Sequence, residues 1–242
     1  MKKNIPNIIT CCNLVSGCIA IMCAFYGNVD YAFLFIILGA IFDFFDGMTA
    51  RLLGVSSNIG KELDSLADVV TFGVAPSAIV FWLLCVAEYP EAIEPSRDFV
   101  PVLAFVIAAF SALRLAKFNL DTRQTTSFIG LPTPANALFW GALIAGYNNE
   151  LLDSQFTMPL TIIGIGLCSW LLVSEVPMFA LKFKHWGFKG NEIKYIFVAL
   201  AAILIIVGII SGITSGNPAK CYTGIPLVIV AYIIISIATE KK

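Results

Sequence analysis

Eight long apolar runs constrain the fold of this chain more than any other feature of its sequence. They fall at 8–26, 31–50, 66–87, 99–116, 134–148, 157–179, 194–213 and 224–238. Most of them approach the ~20 residues that a helix needs to cross a bilayer, although the fifth and eighth are short. Of the 242 residues, 59% are hydrophobic, whereas a soluble domain is about 45–50% apolar. The sequence therefore predicts an all-α, polytopic membrane bundle of about eight transmembrane helices.

The basic residues indicate how this bundle lies in the membrane. If the N-terminus is cytoplasmic, 13 of the 15 lysines and arginines fall in cytoplasmic segments, and only Arg97 and Lys220 fall outside. This asymmetry fits the positive-inside rule with both termini in the cytoplasm. No linker or repeat divides the chain, so we expect one domain over residues 1–242, with extra C-terminal spans at about 194–238.

Charge and motif content exclude several classes of function. The net charge is −1, which leaves no basic surface for a nucleic-acid partner. His185 is the only histidine, which argues against catalysis by histidine and against a zinc site with several histidine ligands. No G-x-x-x-x-G-K-[ST] loop occurs, which argues against an NTPase.

Four aspartates with fixed spacing mark the end of the second run and the start of the third. The pattern is D-x-x-D-G-x-x-A-R-x8-G-x3-D-x3-D. Its fixed positions are Asp43, Asp46, Gly47, Ala50, Arg51, Gly60, Asp64 and Asp68. Acids three or four residues apart share a helix face, and a turn near 54–58 returns the second helix antiparallel to the first. We therefore expect the four carboxylates to converge near the cytoplasmic surface.

Such a cluster needs cations close to it. An acid inside the membrane costs on the order of 2.5–3.5 kcal/mol by insertion scales, and the local bases are only Arg51 and Lys61. Oxygen ligands favour Mg²⁺ or Mn²⁺, with Ca²⁺ as a further option. Two alternatives are an acid network paired with basic residues of other loops and a pathway for ions or protons. The glycines beside the acids, and the single depth of the acids, favour a bound ligand.

The whole pattern from Asp43 to Asp68 resembles the signature of the CDP-alcohol phosphotransferases. Further segments at 5–13, 64–76, 114–119 and 130–134 resemble the phosphatidylserine synthase branch, so that the resemblance covers roughly residues 4–136. The last hundred residues contribute only hydropathy.

The resemblance implies a metal-assisted transfer of the phosphatidyl group from CDP-diacylglycerol to L-serine, with release of CMP. It implies that Asp43, Asp46, Asp64 and Asp68 ligate two divalent ions and that Asp68 is also the catalytic base. It further implies a homodimer, and an active site at the cytoplasmic face of the inner or plasma membrane. Another acceptor alcohol, glycerol 3-phosphate or inositol phosphate, is one alternative, and a divalent-cation carrier is another.

Candidate contacts to the two substrates follow from residue chemistry. Gly47 and Ala50 would leave room for the nucleotide, and Arg51 would face phosphate. The full set predicted to bind the CDP-lipid is Asn7, Asn13, Gly47, Ala50, Arg51 and Gly60. Asn7 and Asn13 can equally be hydrogen-bond partners between helices, since they are polar residues in a first span. The serine carboxylate requires a cation, for which Arg114 and Lys117, expected in the loop after the fourth span, are candidates with Asn119. Further options there are Arg123, Ser65 and Thr71. Gly208 and Gly212 form a weak G-x-x-x-G dimerisation signal.

Overall fold

The structure of the chain is a computed structural model that describes residues 4–55, 57–91, 93–121, 127–179, 187 and 191–239. Helices dominate these residues. The α-helices are α1 (Ile5–Phe25), α2 (Val29–Leu53), α3 (Asn58–Asp68), α4 (Ala75–Val86), α5 (Val106–Leu120), α6 (Thr133–Gly146), α7 (Asn148–Leu152), α8 (Thr157–Val173), α9 (Glu192–Ser215) and α10 (Gly224–Thr239). The π-helical segment Val69–Val74 joins α3 to α4, and 3₁₀ turns at Glu94–Ser96, Val100–Phe105 and Pro218–Thr223 precede later helices.

Helices occupy all eight positions at which the apolar runs predict them. Six helical segments in the described part of the chain are long and apolar enough to cross a membrane. They are Ile5–Phe25, Val29–Leu53, Asn58–Val86, Val100–Leu120, Glu192–Ser215 and Pro218–Thr239. The other two, α6 and α8, have 14 and 17 residues. The polytopic helical bundle is thus confirmed, while the number of eight crossings stays a prediction.

The third helix begins earlier than its apolar run. Gly54 closes α2 in the left-handed conformation with φ 61°, which glycine adopts without steric cost. Ser57 then caps α3, because its hydroxyl accepts a hydrogen bond of 2.9 Å from the backbone N–H of Gly60. The turn predicted between 54 and 58 is therefore present, and both Asp64 and Asp68 lie on α3.

The fourth predicted span ends too early. Helix α5 continues to Leu120, so Arg114, Lys117 and Asn119 lie in its last two turns and not in a loop. The predicted span stops at residue 116, four residues before the helix ends. No glycine or proline follows Pro101 until Gly130, and alanine, leucine, arginine and lysine all favour helix.

Two short strands interrupt the all-α pattern. Strand β1 (Ser127–Ile129) pairs antiparallel with β2 (Pro177–Phe179), with Ser127 opposite Phe179. The sixth predicted span, drawn to residue 179, consequently ends at Val173. Ser174 is extended there with ψ 156°, and a residue that precedes proline, such as Val176, disfavours the helical conformation.

Helix α1 is the common support of the acid-bearing helices, since it packs along both α2 and α3. The main core lies deeper, where Phe33 and Ile36 of α2 meet Phe72 of the π-helical segment and Ile79 and Leu83 of α4. This arrangement places the motif at one end of the bundle, above a closely packed apolar core.

The C-terminal pair α9 and α10 is held by the G-x-x-x-G motif within the chain. A Cβ atom on Gly208 would lie 2.9 Å from the carbonyl oxygen of Cys221, and one on Gly212 would lie 2.9 Å from its backbone nitrogen. Both glycines are buried. They serve the packing of α9 on the turn before α10 and are not exposed for a contact with a second copy.

Candidate functional site

Three of the four motif aspartates form one cluster. Carboxylate oxygens of Asp43, Asp64 and Asp68 all lie within 4.8 Å of one another. At such distances two unit charges repel by roughly 3–4 kcal/mol at an effective dielectric constant of 20. The predicted convergence of α2 and α3 therefore occurs for these three residues.

Asp46 lies beside this cluster and is held by α1. The Thr10 hydroxyl lies 2.6 Å from Oδ2 of Asp46 and 3.1 Å from the carbonyl oxygen of Pro6. Both Thr10 and Asp46 are buried. Because a hydrogen bond to a carboxylate is stronger than one to a neutral carbonyl, we take Asp46 as the main acceptor.

Asp68 is also bound by α1. The side-chain nitrogen Nδ2 of Asn13 donates to Oδ1 of Asp68 over 3.2 Å. The hydroxyl of Thr71, in the π-helical segment, donates to the backbone carbonyl of Asn13 over 3.0 Å. Asn13 and Thr71 are completely buried, so this contact is enclosed by α1, α2 and the π-helical segment.

The cluster fits a divalent cation. Its donors are carboxylate oxygens only, the ligands that Mg²⁺ and Mn²⁺ prefer. Oδ1 of Asp64 is buried and has no hydrogen-bond partner among the described residues. The nearby bases are engaged in other contacts: Arg51 donates to the carbonyl of Gly47 over 3.0 Å, and Lys61 to that of Asn119 over 3.4 Å. Neither Arg51 nor Lys61 therefore pairs with an aspartate of the cluster in the described part of the chain.

A cavity of about 440 Å³, here called the acid cavity, opens beside Asp46 and Asp64. It is lined by four of the six residues predicted to bind the CDP-lipid, namely Asn7, Gly47, Ala50 and Gly60. A Cβ atom on Gly47 would meet nothing within 4 Å, whereas one on Gly60 would lie 3.1 Å from Oδ1 of Asn7. Gly47 thus leaves the cavity open, and Gly60 lets α1 approach α3.

The other two predicted lipid contacts, Arg51 and Asn13, lie elsewhere. Arg51 is exposed and bonded to its own helix, and Asn13 is directed at Asp68. Neither residue lines the acid cavity.

A second cavity of about 320 Å³, the Arg114 cavity, lies between the end of α5 and the segment after α8. Arg114 is buried, with its guanidinium 5.0 Å from the ring centre of Phe118. Its Nη2 lacks a hydrogen-bond partner within the described ranges. Arg114 is also close enough to Asp68 to interact with it electrostatically. A buried cation with a free donor beside the acid cluster is suited to bind an anionic group.

Of the other residues predicted to bind serine, one lines the Arg114 cavity and one does not. Lys117 lines the Arg114 cavity, with its Nζ 3.5 Å from the carbonyl oxygen of Val173. Asn119 lines neither cavity, because its Nδ2 donates to the hydroxyl of Ser65 over 2.8 Å. Arg123 lies outside the described residues.

Sequence reasoning missed three residues at these sites. Thr10 binds Asp46, and Asp121 and Glu175 line the Arg114 cavity. For Thr10 a signal existed, since it is a polar residue one helical turn before Asn13 inside an apolar run. Glu175 is far from the motif in sequence and reaches the cavity only through the fold.

Comparison with known proteins agrees with this geometry. The model of the CDP-alcohol phosphatidyltransferase family matches residues 3–170. The chain belongs to that family. The match spans both acid-bearing helices and α5, and it ends before α9 and α10. The resemblance drawn from the motif is thereby confirmed, and the chain is a multi-pass membrane enzyme of this CDP-alcohol phosphatidyltransferase family.

Relatives in this family carry one common name, CDP-diacylglycerol–serine O-phosphatidyltransferase. The protein of that name from Bacillus subtilis (strain 168) is 39% identical over 185 residues, which is 75% of this chain and 90% of the relative. The one from Methanocaldococcus jannaschii is 33% identical over 205 residues, or 85% and 84% of the two chains. The Helicobacter pylori (strain 26695) relative is 32% identical over 206 residues, or 82% and 81%.

Proposed function

We propose that this enzyme transfers the phosphatidyl group of CDP-diacylglycerol to the hydroxyl of L-serine, giving phosphatidylserine and CMP. The observation that carries the proposal is the cluster of Asp43, Asp64 and Asp68, in which Asp64 lines the acid cavity and Asp68 is close enough to Arg114 to interact with it electrostatically. The relatives named for this reaction support serine as the acceptor.

In the proposed reaction the serine hydroxyl oxygen forms a bond to the phosphorus that carries diacylglycerol. The bond between that phosphorus and the oxygen shared with the cytidine phosphate breaks, and its electron pair leaves with CMP. The proton of the hydroxyl passes to Asp68, which acts as a general base.

Asp43, Asp46, Asp64 and Asp68 would hold two divalent cations, Mg²⁺ or Mn²⁺. The chemistry that such cations supply is neutralisation of charge on the transferring and leaving phosphates. Asn7, Gly47, Ala50 and Gly60 would surround the CDP end of the lipid, since they line the acid cavity.

The proposed serine site lies in the Arg114 cavity. Arg114 would bind the serine carboxylate through its free Nη2, and Lys117 would add a second positive charge at the same cavity. The electrostatic interaction between Arg114 and Asp68 places this cation near the proposed base. A bound serine would thus present its hydroxyl towards the acid cluster.

We further propose that the acid cluster lies at the cytoplasmic face of the inner or plasma membrane, in a homodimeric enzyme with one domain. The distribution of basic residues supports the orientation. An ion pair between Glu150 and Lys220 also supports it, because the topology assigns both residues to the opposite side.

An assay of the purified protein with CDP-diacylglycerol and labelled L-serine tests the proposal. CMP release should depend on serine and should yield labelled phosphatidylserine. It should stop with a chelator and return with Mg²⁺ or Mn²⁺. Glycerol 3-phosphate and inositol phosphate serve as competing acceptors in the same assay. CMP release with either of these, and not with serine, would contradict the serine assignment.

A further inference from the structure

Asn13 contacts Asp68 but has no role in the reaction proposed above. It lies in the middle of α1 and is completely buried. Its Nδ2 lies 3.2 Å from Oδ1 of Asp68, and the residue does not line the acid cavity. Asn13 is thus directed at Asp68, while its contact to the CDP-lipid stays a prediction.

We infer that Asn13 is a positioning residue that fixes the orientation of the Asp68 carboxylate. This inference rests on the proposed function, in which Asp68 binds cations and accepts the proton of serine. It assigns to α1 a part in the chemistry, although α1 carries none of the four aspartates.

The chemistry of the two side chains sets the direction of this contact. A carboxylate only accepts hydrogen bonds, and an asparagine amide nitrogen only donates them. The contact therefore engages Oδ1 of Asp68 and leaves Oδ2 available to a cation held by the cluster. A hydrogen bond to a charged acceptor also restricts rotation of the carboxylate more strongly than a neutral one would.

Asn13 is itself held in place by its surroundings. The Thr71 hydroxyl, three residues after Asp68, donates to the Asn13 carbonyl over 3.0 Å. A Cβ atom on Gly39 would lie 2.9 Å from Oδ1 of Asn13, and one on Gly17 would lie 2.8 Å from Cα of Thr71. The contacts Asn13–Asp68 and Thr71–Asn13 close a small ring between α1 and the third helix, which leaves Asn13 little freedom to move.

Thr10 provides an independent parallel on the same helix. It lies three residues before Asn13 and donates to Asp46 of α2. Helix α1 thus supplies one donor to an acid on each of the two helices that it supports. Hydrogen-bond partners behind metal ligands typically contribute 10- to 100-fold to metal affinity or activity.

The variant Asn13→Leu tests the inference, because leucine has nearly the same shape but donates no hydrogen bond. We expect kcat to fall about 10- to 100-fold, with the KM values for serine and CDP-diacylglycerol within about twofold of wild type. The dissociation constant of Mn²⁺, measured by electron paramagnetic resonance on the substrate-free protein, should rise about tenfold. Ser16→Ala is the matched control, since Ser16 on the same helix donates to the Phe35 carbonyl over 2.8 Å. It should change none of these quantities.

Two results would overturn the inference. One is a kcat and a Mn²⁺ dissociation constant that both stay within twofold of wild type. The other is a raised KM for CDP-diacylglycerol at unchanged kcat, which would return Asn13 to the lipid site. If Asn13→Leu does not fold, as judged by thermal unfolding, Asn13→Ala carries the same test. A wild-type protein without serine-dependent CMP release would instead refute the proposed function.

Discussion

Two helix crossings in this enzyme use glycine in the same manner but enclose different groups. At the crossing of α1, α2 and the π-helical segment, Gly17 and Gly39 admit the side chains of Asn13 and Thr71. At the crossing of α9 with the turn before α10, Gly208 and Gly212 admit the backbone and sulfur of Cys221. Small residues let helix backbones approach closely in both.

The two crossings should have different roles, the first in catalysis and the second in holding α9 against the turn before α10. The first crossing surrounds polar groups that bind motif aspartates, and it lies within the family match to residues 3–170. The second lies beyond that match. Damage to the first should therefore reduce activity more than stability, and damage to the second should reduce stability more than activity.

The largest expected effect is at the acid cluster. Asp43→Asn or Asp64→Asn should lower kcat by roughly 10²–10³-fold or more, because each removes a charged oxygen ligand from the trio. Unfolding temperature should stay near that of wild type, since the trio holds like charges at close range. CMP release and thermal unfolding measure the two quantities. Wild-type turnover in either variant would contradict a catalytic role for the acid cluster, and with it the catalytic importance of the first crossing, which supports that cluster.

The next largest effect is at Arg114. Arg114 belongs to α5, and Tyr232 of α10 lies near enough to interact with it electrostatically. Arg114→Ala should raise the KM for serine about 10- to 100-fold, the equivalent of a lost hydrogen bond to a charged group. The KM for CDP-diacylglycerol should change little. Lys117→Ala is a useful comparison, because Lys117 lines the same cavity but is exposed; its effect should be smaller.

A matched pair of glycine variants compares the crossings directly. In Gly39→Ala the new Cβ atom would meet Thr71 and Oδ1 of Asn13, so we expect activity to fall about tenfold through the Asp68 contact. In Gly212→Ala it would meet the backbone of Cys221. Overpacking should lower the free energy of unfolding of that variant by about 1–3 kcal/mol, which a lower unfolding temperature would report. Its activity should stay within about twofold of wild type. The opposite pattern would reverse the assignment of the two crossings.

The smallest effect is at the ion pair between Lys220 and Glu150. This hydrogen bond lowers the pKa of Glu150 below its ordinary value. The pair therefore stabilises the fold at neutral pH, and its contribution is lost as the pH falls through that lowered pKa. Because the pair is exposed, Glu150→Gln should cost at most about 1 kcal/mol. Thermal unfolding at pH 7 and at pH 3 should differ less in the variant than in wild type.

Much of this site was predictable because the motif is local. The spacing of Asp43, Asp64 and Asp68, together with the turn at Gly54, was sufficient to predict that the three acids meet. The space in the acid cavity beside Gly47 was also predictable, because glycine has no side chain to fill it. The membrane bundle followed from hydropathy, since a lipid environment permits few other folds.

Two kinds of feature were not predicted correctly from the sequence. They are contacts between segments distant in sequence and the end of the helix that carries Arg114. The predicted loop with Arg114 and Lys117 is wrong, because the helix continues about one turn beyond residue 116, the end of the predicted span. A hydrogen bond from Asn13 to another helix was one expectation, but its partner was not predictable, since Asp68 is 55 residues away. The strand pair β1–β2 joins segments 50 residues apart, and neither strand has an alternating pattern long enough to detect.

The π-helical segment Val69–Val74 has a consequence for chain length. Each α-helical residue rotates the chain by about 100°, and a π-helical turn contains roughly one residue more than an α-helical turn. Deleting one residue there would permit a continuous α-helix from Asn58 to Val86. Because the π-helical turn already absorbs the extra residue, this deletion would leave Asp64 and Asp68 at nearly the same angle relative to Ile79 and Leu83. A one-residue deletion in this stretch should thus be less damaging than one between Ala75 and Ser77 in α4, which would rotate the two acids by about 100° relative to Ile79 and Leu83.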